Sequence, residues 1–231
     1  MAQGSEMTDS AADRLGEVKT RIEIAARGAK RSPDDVKLIA VSKTFEAPAI
    51  LPVLKAGHRI FGENRVQEAK EKWPALREKF PDVELHLIGP LQTNKVREAV
   101  VLFDVLETVD REKLAAALRV EMDRAGKELA CFVQVNIGEE PQKSGVPPRE
   151  AEAFVDTCRT VYGLNVIGLM CIPPEGVPPG PYFAQMVSLA RACGVAGLSM
   201  GMSADFETAI AMGATHVRIG SVLFGHRAKP A

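Results

Sequence analysis

The chain has 231 residues and a formal net charge of −1 at pH 7, and 46% of its residues are apolar. That length holds one large domain or two small ones with a full core, and the near-neutral charge gives no electrostatic pull towards nucleic acid or a membrane surface. No apolar run is long enough to cross a bilayer, and the N-terminus is polar rather than signal-like.

Residues 1–9 read as a mobile N-terminal tail, and 10–231 as a single domain. Ser10 and Asp13 have the spacing of a capping box, with Asp in place of the usual Glu or Gln. Leu15, Val18, Ile22, Ala25 and Ala26 then recur at helical spacing, so the first element is a helix. Strand one is expected at 36–42, followed by a helix at 47–56 that stops at Gly57. A short strand at 59–61 precedes a helical stripe of Val66, Ala69, Trp73, Leu76 and Phe80, kinked or restarted at Pro74. Strand three is 84–88.

The second half repeats the grammar. A helix at 93–100 leads to strand four at 105–108, and a helix at 111–125 ends at Gly126. Strand five is 130–135, followed by a helix at 148–162 with Pro148 in its first turn. Strand six is 166–171. A proline-rich loop at 173–181 precedes the helix 182–193, strand seven at 197–199, the helix 204–212 and strand eight at 216–219. Eight strands separated by helices, many of them near-continuously apolar, predict an α/β fold, a single (β/α)8 TIM barrel with an extra N-terminal helix. An open doubly wound sheet is the alternative, but no Gly-x-Gly-x-x-Gly follows strand one. Cys131, Cys158, Cys171 and Cys193 are widely spaced without a metal-ligand pattern. That predicts buried reduced thiols, a cytoplasmic setting and no metal site.

In a closed parallel barrel the strands' carboxyl ends converge on one mouth, where such folds keep their sites. The residues delivered there include Lys43, Asn64, Gln92, Gln134, Asn136, Lys143, Met170, Met200, Met202, Ser203, Arg218, Gly220 and Ser221, with His86 inside strand three. A lysine amine held partly desolvated at that rim could attack a carbonyl. The segments 199–203 and 218–221 pair glycines with small hydroxyls in the loops after the last two strands, the usual phosphate position of this architecture. Each could instead be an ordinary turn, with Ser203 only a helix cap.

Lys43 and a phosphate site on one mouth suggest a phosphorylated aldehyde held as an imine, for which pyridoxal phosphate fits both ends. Arg218 would then lie beside the ring nitrogen, where a permanent cation disfavours pyridinium formation and argues against transamination. The alternative for Arg218 is a core-facing guanidinium paired with an acid. His86 is equally open to being a satisfied core histidine. Asn64 could bond the cofactor or merely close its turn. Lys143 and the methionines read more simply as a surface lysine and pocket wall.

The segments Leu38-Ile39-Ala40-Val41-Ser42-Lys43-Thr44, Phe61-Gly62-Glu63-Asn64-Arg65-Val66-Gln67-Glu68 and His86-Leu87-Ile88-Gly89-Pro90-Leu91-Gln92-Thr93-Asn94-Lys95 are distinctive together. So are Val135-Asn136-Ile137, Lys143-Ser144-Gly145, Gly168-Leu169-Met170, Leu198-Ser199-Met200-Gly201-Met202-Ser203-Ala204-Asp205-Phe206-Glu207, Val217-Arg218-Ile219-Gly220-Ser221 and Phe224-Gly225. In this order the chain resembles the pyridoxal phosphate homeostasis protein family, relatives of the N-terminal barrel of alanine racemase. The resemblance implies that Lys43 carries pyridoxal phosphate as a Schiff base, that Ser203, Gly220 and Ser221 hold its phosphate, and that Arg218 approaches the pyridine nitrogen. It places Asn64 near the ring. It implies a role in binding, buffering and delivering the cofactor, with apo-enzymes that use it as possible partners and without established turnover. Arg65 stands where the family often has Tyr, and the segment 171–182 is shorter and less charged than usual.

A weak racemase or lyase using Lys43 as its only base is the alternative function. In alanine racemase a second domain of a partner subunit supplies a catalytic tyrosine; with the last residue at Ala231, no such domain is expected here, and Tyr162 and Tyr182 are not expected at the mouth. A scaffold that uses the cofactor as a sensor is a third reading. No helix shows a surplus apolar face, so a monomer is expected.

Overall fold

The structure, a computed structural model, describes residues 10–225. The tail expected at 1–9 and the last residues of the expected domain lie outside that range. Eight parallel strands form a closed barrel in sequence order: β1 (Lys37–Val41), β2 (Ile60–Glu63), β3 (Glu84–Leu87), β4 (Val105–Val109), β5 (Ala130–Val135), β6 (Asn165–Cys171), β7 (Gly197–Met202) and β8 (His216–Ile219). Helices α1 (Ala11–Gly28), α2 (Ala47–Lys55), α3 (Val66–Lys79), α4 (Val96–Leu102), α5 (Glu112–Ala125), α6 (Ala151–Thr160), α7 (Gly180–Ala192), α8 (Phe206–Met212) and α9 (Ser221–Phe224) surround it. Closure runs through β8 and β1, where Lys37, Leu38, Ile39 and Ala40 pair with His216, Val217, Arg218 and Ile219.

The helix α1 begins at the capping box: Asp13 N donates to Ser10 Oγ and Ser10 N donates to the Asp13 carboxylate. Such reciprocal bonds satisfy amides that a helix start leaves open. Leu15, Val18, Ile22 and Ala26 form its buried stripe. It packs beside α2, α8 and α9. Arg14 donates to the Leu223 carbonyl at 2.7 Å, and Arg31 donates to the carbonyls of Ile210 and Ala214 at 2.8 Å each. The extra helix thus covers the seam between the last unit and the first.

Most expected elements stand within a few residues of their places, and the differences have local causes. The helix α3 runs as one element through Pro74, so the restart falls away. The ring removes one amide from the ladder, and the carbonyl left without a donor belongs to Lys70, an exposed residue. Strand β7 extends three residues beyond the expected 197–199. Between its pairings of Ser199 with His216 and Met202 with Arg218 it carries an extra residue, the mark of a bulge. Gly201 makes this possible: it has φ +94°, and a Cβ there would lie 2.5 Å from the Ala209 Cβ. The helix α8 starts at Phe206 rather than 204, because the Asp205 carboxylate turns back to accept from the Met202 amide at 2.6 Å.

Outward-facing strand residues such as Leu38, Leu85, Leu87 and Leu198 join the helices in one continuous core. The barrel interior holds a smaller apolar plug of Val105, Phe132 and Met170. Phe132 fits because β6 and β7 offer Gly168 and Gly197 opposite it; a Cβ at Gly168 would sit 2.4 Å from the ring. All four cysteines are free and buried. Burial pushes the thiols of Cys131, Cys158 and Cys171 up to about 12, so they are inert packing groups.

His58 and His216 are buried on opposite sides of the β1 strand's start. Burial drives both down to about 4 from 6.5, so each is neutral in the folded state. His58 Nε2 donates to the Ile60 carbonyl at 2.8 Å. A folded-state pKa below the unfolded value means the unfolded chain binds more protons, so stability is present above about pH 6.5 and is lost as pH falls towards 4. We expect urea-unfolding stability to decline from pH 6.5 to 5 by about 1.4 kcal/mol per pH unit for each histidine. His58→Gln keeps a donor for Ile60 and should show a shallower slope than the native chain; parallel slopes would refute the assignment.

Candidate functional site at the barrel mouth

Lys43 stands two residues beyond β1 in a half-buried turn. Because β1 pairs with β8 on one side and β2 on the other, that turn lies between Gly220-Ser221 after β8 and Asn64 after β2. Gly220 packs against β1: a Cβ there would meet the Val41 carbonyl oxygen at 3.2 Å. Ser221 Oγ donates to Ser203 Oγ at 3.2 Å, so the loops after β7 and β8 present two hydroxyls side by side. Ser203 precedes the first residue of α8 by three positions and acts in the bulge-turn, not as that helix's cap. Asn64 lines a cavity of about 180 Å³ together with Gly89, Gln134, Asn136, Lys143 and Ser144. Lys143 is half-buried, donating to the Pro173 carbonyl at 3.1 Å and pairing with Glu140 at 2.5 Å, which ties it to the rim rather than leaving it in bulk water.

Arg218 points inward and is 4% exposed. Its guanidinium donates to Ser199 Oγ at 2.6 Å and to the Cys171 carbonyl at 2.8 Å, and stands 3.9 Å from Glu107. Ser199 Oγ in turn donates to the second Glu107 oxygen at 2.6 Å. The other Glu107 oxygen lies 2.7 Å from His86 Nδ1, and His86 Nε2 is 2.8 Å from Glu84. Arg218, Ser199, Glu107, His86 and Glu84 therefore form one hydrogen-bonded chain through the barrel interior. Burial opposes charge on His86, but the bonds and field of Glu107 and Glu84 outweigh it and raise its pKa above the usual range. Burial likewise works against the Glu107 carboxylate, yet His86, Arg218 and Ser199 hold it below the ordinary value. An imidazolium, a carboxylate and a guanidinium thus balance one another out of water.

The predicted residues divide accordingly. Lys43, Asn64, Ser203, Gly220 and Ser221 share the mouth. His86 lies within the barrel with both ring nitrogens bonded to carboxylates, and Arg218 is paired with an acid while its strand leads to the mouth. Met200 is fully buried in the layer between barrel and helices. Glu107 and Ser199 were not singled out as site residues, nor was Lys72. The signal available was an ionisable residue inside an otherwise apolar strand, which at Glu107 demands a buried partner.

Lys72 on α3 is 5% exposed. Its ammonium stands 2.9 Å from Glu63 and 3.0 Å from Glu68, and donates to the carbonyls of Ser42 and Phe45 at 2.8 and 2.9 Å. Glu63 also accepts from Ser42 Oγ at 2.5 Å and Trp73 Nε1 at 3.0 Å. Burial lifts the Glu63 carboxyl above the ordinary range against the pull of Lys72, Ser42 and Trp73.

Comparison with known proteins agrees with this architecture. Residues 14–228 match the family described as alanine racemase, N-terminal domain. The pyridoxal phosphate homeostasis protein of Escherichia coli strain K12 is 39% identical over 228 residues, covering 94% of this chain and 96% of that one. The solved structure of PipY from Synechococcus elongatus PCC7942 with pyridoxal phosphate (PLP) bound is 35% identical, with a TM-score of 0.81 over 94% of this chain and all of that one. The alanine racemase of Clostridium difficile 630 shares the fold at 14% identity, with a TM-score of 0.70 over 96% of this chain and 58% of that one. The chain belongs to the pyridoxal phosphate homeostasis protein family, built on the alanine racemase N-terminal barrel.

Proposed function

We propose that this protein binds pyridoxal phosphate at the barrel mouth through Lys43 and serves to hold and release the cofactor in vitamin B6 and amino-acid homeostasis. The observation that carries the reading is the meeting, on neighbouring strands β7, β8 and β1, of a rim lysine, paired hydroxyls beside close-packed glycine, and a buried guanidinium. The donor set fits the group. Ser203 and Ser221 supply short hydroxyls and Gly220 supplies backbone packed closely against Val41, which suits a phosphate dianion. Pyridoxal phosphate, when bound, supplies an aldehyde carbon to which an amine adds with loss of water.

In this reading Lys43 is the amine and Asn64 a hydrogen-bond partner at the ring. Arg218 sits nearest the ring nitrogen. Its permanent charge, held in place beside Glu107 and Ser199, discourages a proton there, and so weakens electron withdrawal by the ring. That suits reversible holding better than carbanion chemistry and favours the carrier over a racemase or lyase, as do relatives named for homeostasis. His86 acts at one remove, by fixing Glu107. Apo-enzymes that need the cofactor are the proposed recipients, the protein acts in the cytoplasm as a monomer, and residues 10–231 act as one binding domain.

Mixed with pyridoxal phosphate, the native protein should show imine absorbance, and borohydride should fix the label to the Lys43 peptide. Lys43→Ala should lose both signals while remaining folded; an undiminished imine in that variant would end the proposal. Removing the Ser203 and Ser221 hydroxyls by alanine should each weaken pyridoxal phosphate binding about tenfold, as expected for a hydrogen bond to a charged group. Binding of unphosphorylated pyridoxal should stay unchanged, and an equal loss for both compounds would move the phosphate elsewhere.

A further inference from the structure

The turn that carries Lys43 does not hold its own shape. Thr44 has φ +67°, a left-handed conformation that a β-branched residue resists. The carbonyls on either side, of Ser42 and Phe45, both point at the Lys72 ammonium, at 2.8 and 2.9 Å. The Thr44 amide donates to Glu68 Oε1, which Lys72 grips at 3.0 Å. The Ser42 hydroxyl donates to Glu63 Oε1, which Lys72 grips at 2.9 Å. One ammonium therefore fastens the Lys43 turn directly by two main-chain carbonyls and indirectly through two carboxylates.

A lysine this deeply buried is costly, and an apolar residue of similar size would commonly serve stability as well or better. What an apolar residue could not do is satisfy the Ser42 and Phe45 carbonyls or steady the two carboxylates. Glu63 fits the same purpose: it is buried, its Oε2 has no partner among the described residues, and its other oxygen collects three donors, Lys72 and Trp73 from α3 and Ser42 from the Lys43 turn.

We infer that Lys72 is a positioning residue for Lys43: it locks the strained 42–45 turn and so sets the direction in which the Lys43 amine enters the mouth. This rests on Lys43 being the carbonyl-reactive amine. Lys72 touches neither cofactor nor reacting atoms; Lys43 adds to the aldehyde and water leaves, with Lys72 unchanged throughout.

The test compares the native chain with Lys72→Met, Lys72→Arg and the charge-neutral pair Glu63→Gln/Lys72→Met, which leaves no unpaired buried carboxylate if the single Met variant fails to fold. In protein without cofactor, amide hydrogen exchange of the peptide spanning 42–46 should quicken at least about tenfold in the Met variants, with β5 and β6 unaltered. On adding pyridoxal phosphate, binding should persist through the hydroxyl loops. The fraction fixed to Lys43 by borohydride should fall about tenfold as the amine loses its alignment. Lys72→Arg, which keeps donors and charge, should restore part of that fraction. Native exchange and native imine yield in a folded Met variant would overturn the inference. So would failure of both Met variants to fold while Lys72→Arg behaves as native in both readouts, since Lys72 would then be structural only. If the native protein itself places no label on Lys43, the function proposed above fails, and the exchange measurement still decides whether Lys72 holds the turn.

Discussion

Everything at the mouth depends on the hydrogen bonding of β8 to β1. Four consecutive pairs, Lys37 with His216 through Ala40 with Ile219, join segments nearly the whole chain apart. Without that seam the lysine turn and the glycine-hydroxyl loops would sit on opposite edges of an open sheet. Joining them costs loop-closure entropy, which grows only slowly with length once the intervening strands are paired. The seam is also where α1 lies: Arg14 and Arg31 bond carbonyls of α9, α8 and the turn before β8, so the first helix ties the last elements to the beginning of the barrel. The extra helix is thus part of closure and not an ornament on a finished barrel.

Inside the barrel the apolar plug of Val105, Phe132 and Met170 adjoins a polar chain from Glu84 to Arg218. A barrel of this size could be filled with branched apolar side chains. The interior instead keeps charges that would each be expensive alone and are tolerable only because each finds its partner. Glu107 is the centre: it faces His86 with one oxygen and Ser199 with the other, and Arg218 stands beside it. Removing it would strand a buried guanidinium and an imidazolium together. The chain gives Arg218 a fixed orientation before any ligand arrives, and preorganisation of that kind makes a charge effective at a site.

The barrel was readable because period and punctuation agree along the whole chain. Strands β5 and β8 stand to the residue where the sequence puts them, and Gly126 stops its helix with positive φ as expected. The place of Lys43 at the mouth was readable because the apolar run before it marks a buried strand that ends there. Two kinds of feature were not. Local geometry that breaks the pattern, the β7 bulge above all, hides in a Met-Gly-Met-Ser run that looks like a loop from start to finish. Long-range partnership hides more completely. Nothing near Glu107 in sequence announces His86 or Ser199, the second of which is 92 residues away. Lys72 sits four residues after Glu68, a spacing that ordinarily marks a solvated surface pair. Only the fold shows that this side of α3 faces the underside of the Lys43 turn.

Two lysines at one mouth then illustrate how the same side chain is assigned opposite tasks by its surroundings. Lys72 is surrounded by four oxygens, two from carboxylates and two from the main chain, so its amine is taken up in holding the turn. An amine so enclosed is also out of a ligand's reach, since the residue is only 5% exposed. Lys43 stands in the turn those bonds brace, at the half-buried rim beside the hydroxyl loops. Under the function proposed above, in which Lys43 receives the aldehyde, this division directs the cofactor to one nitrogen. The neighbouring lysine is buried and engaged, and in the proposed role its engagement aims Lys43. Under that reading, selectivity between the two amines follows from the burial of Lys72 beneath the turn and the half-buried place of Lys43 at the rim.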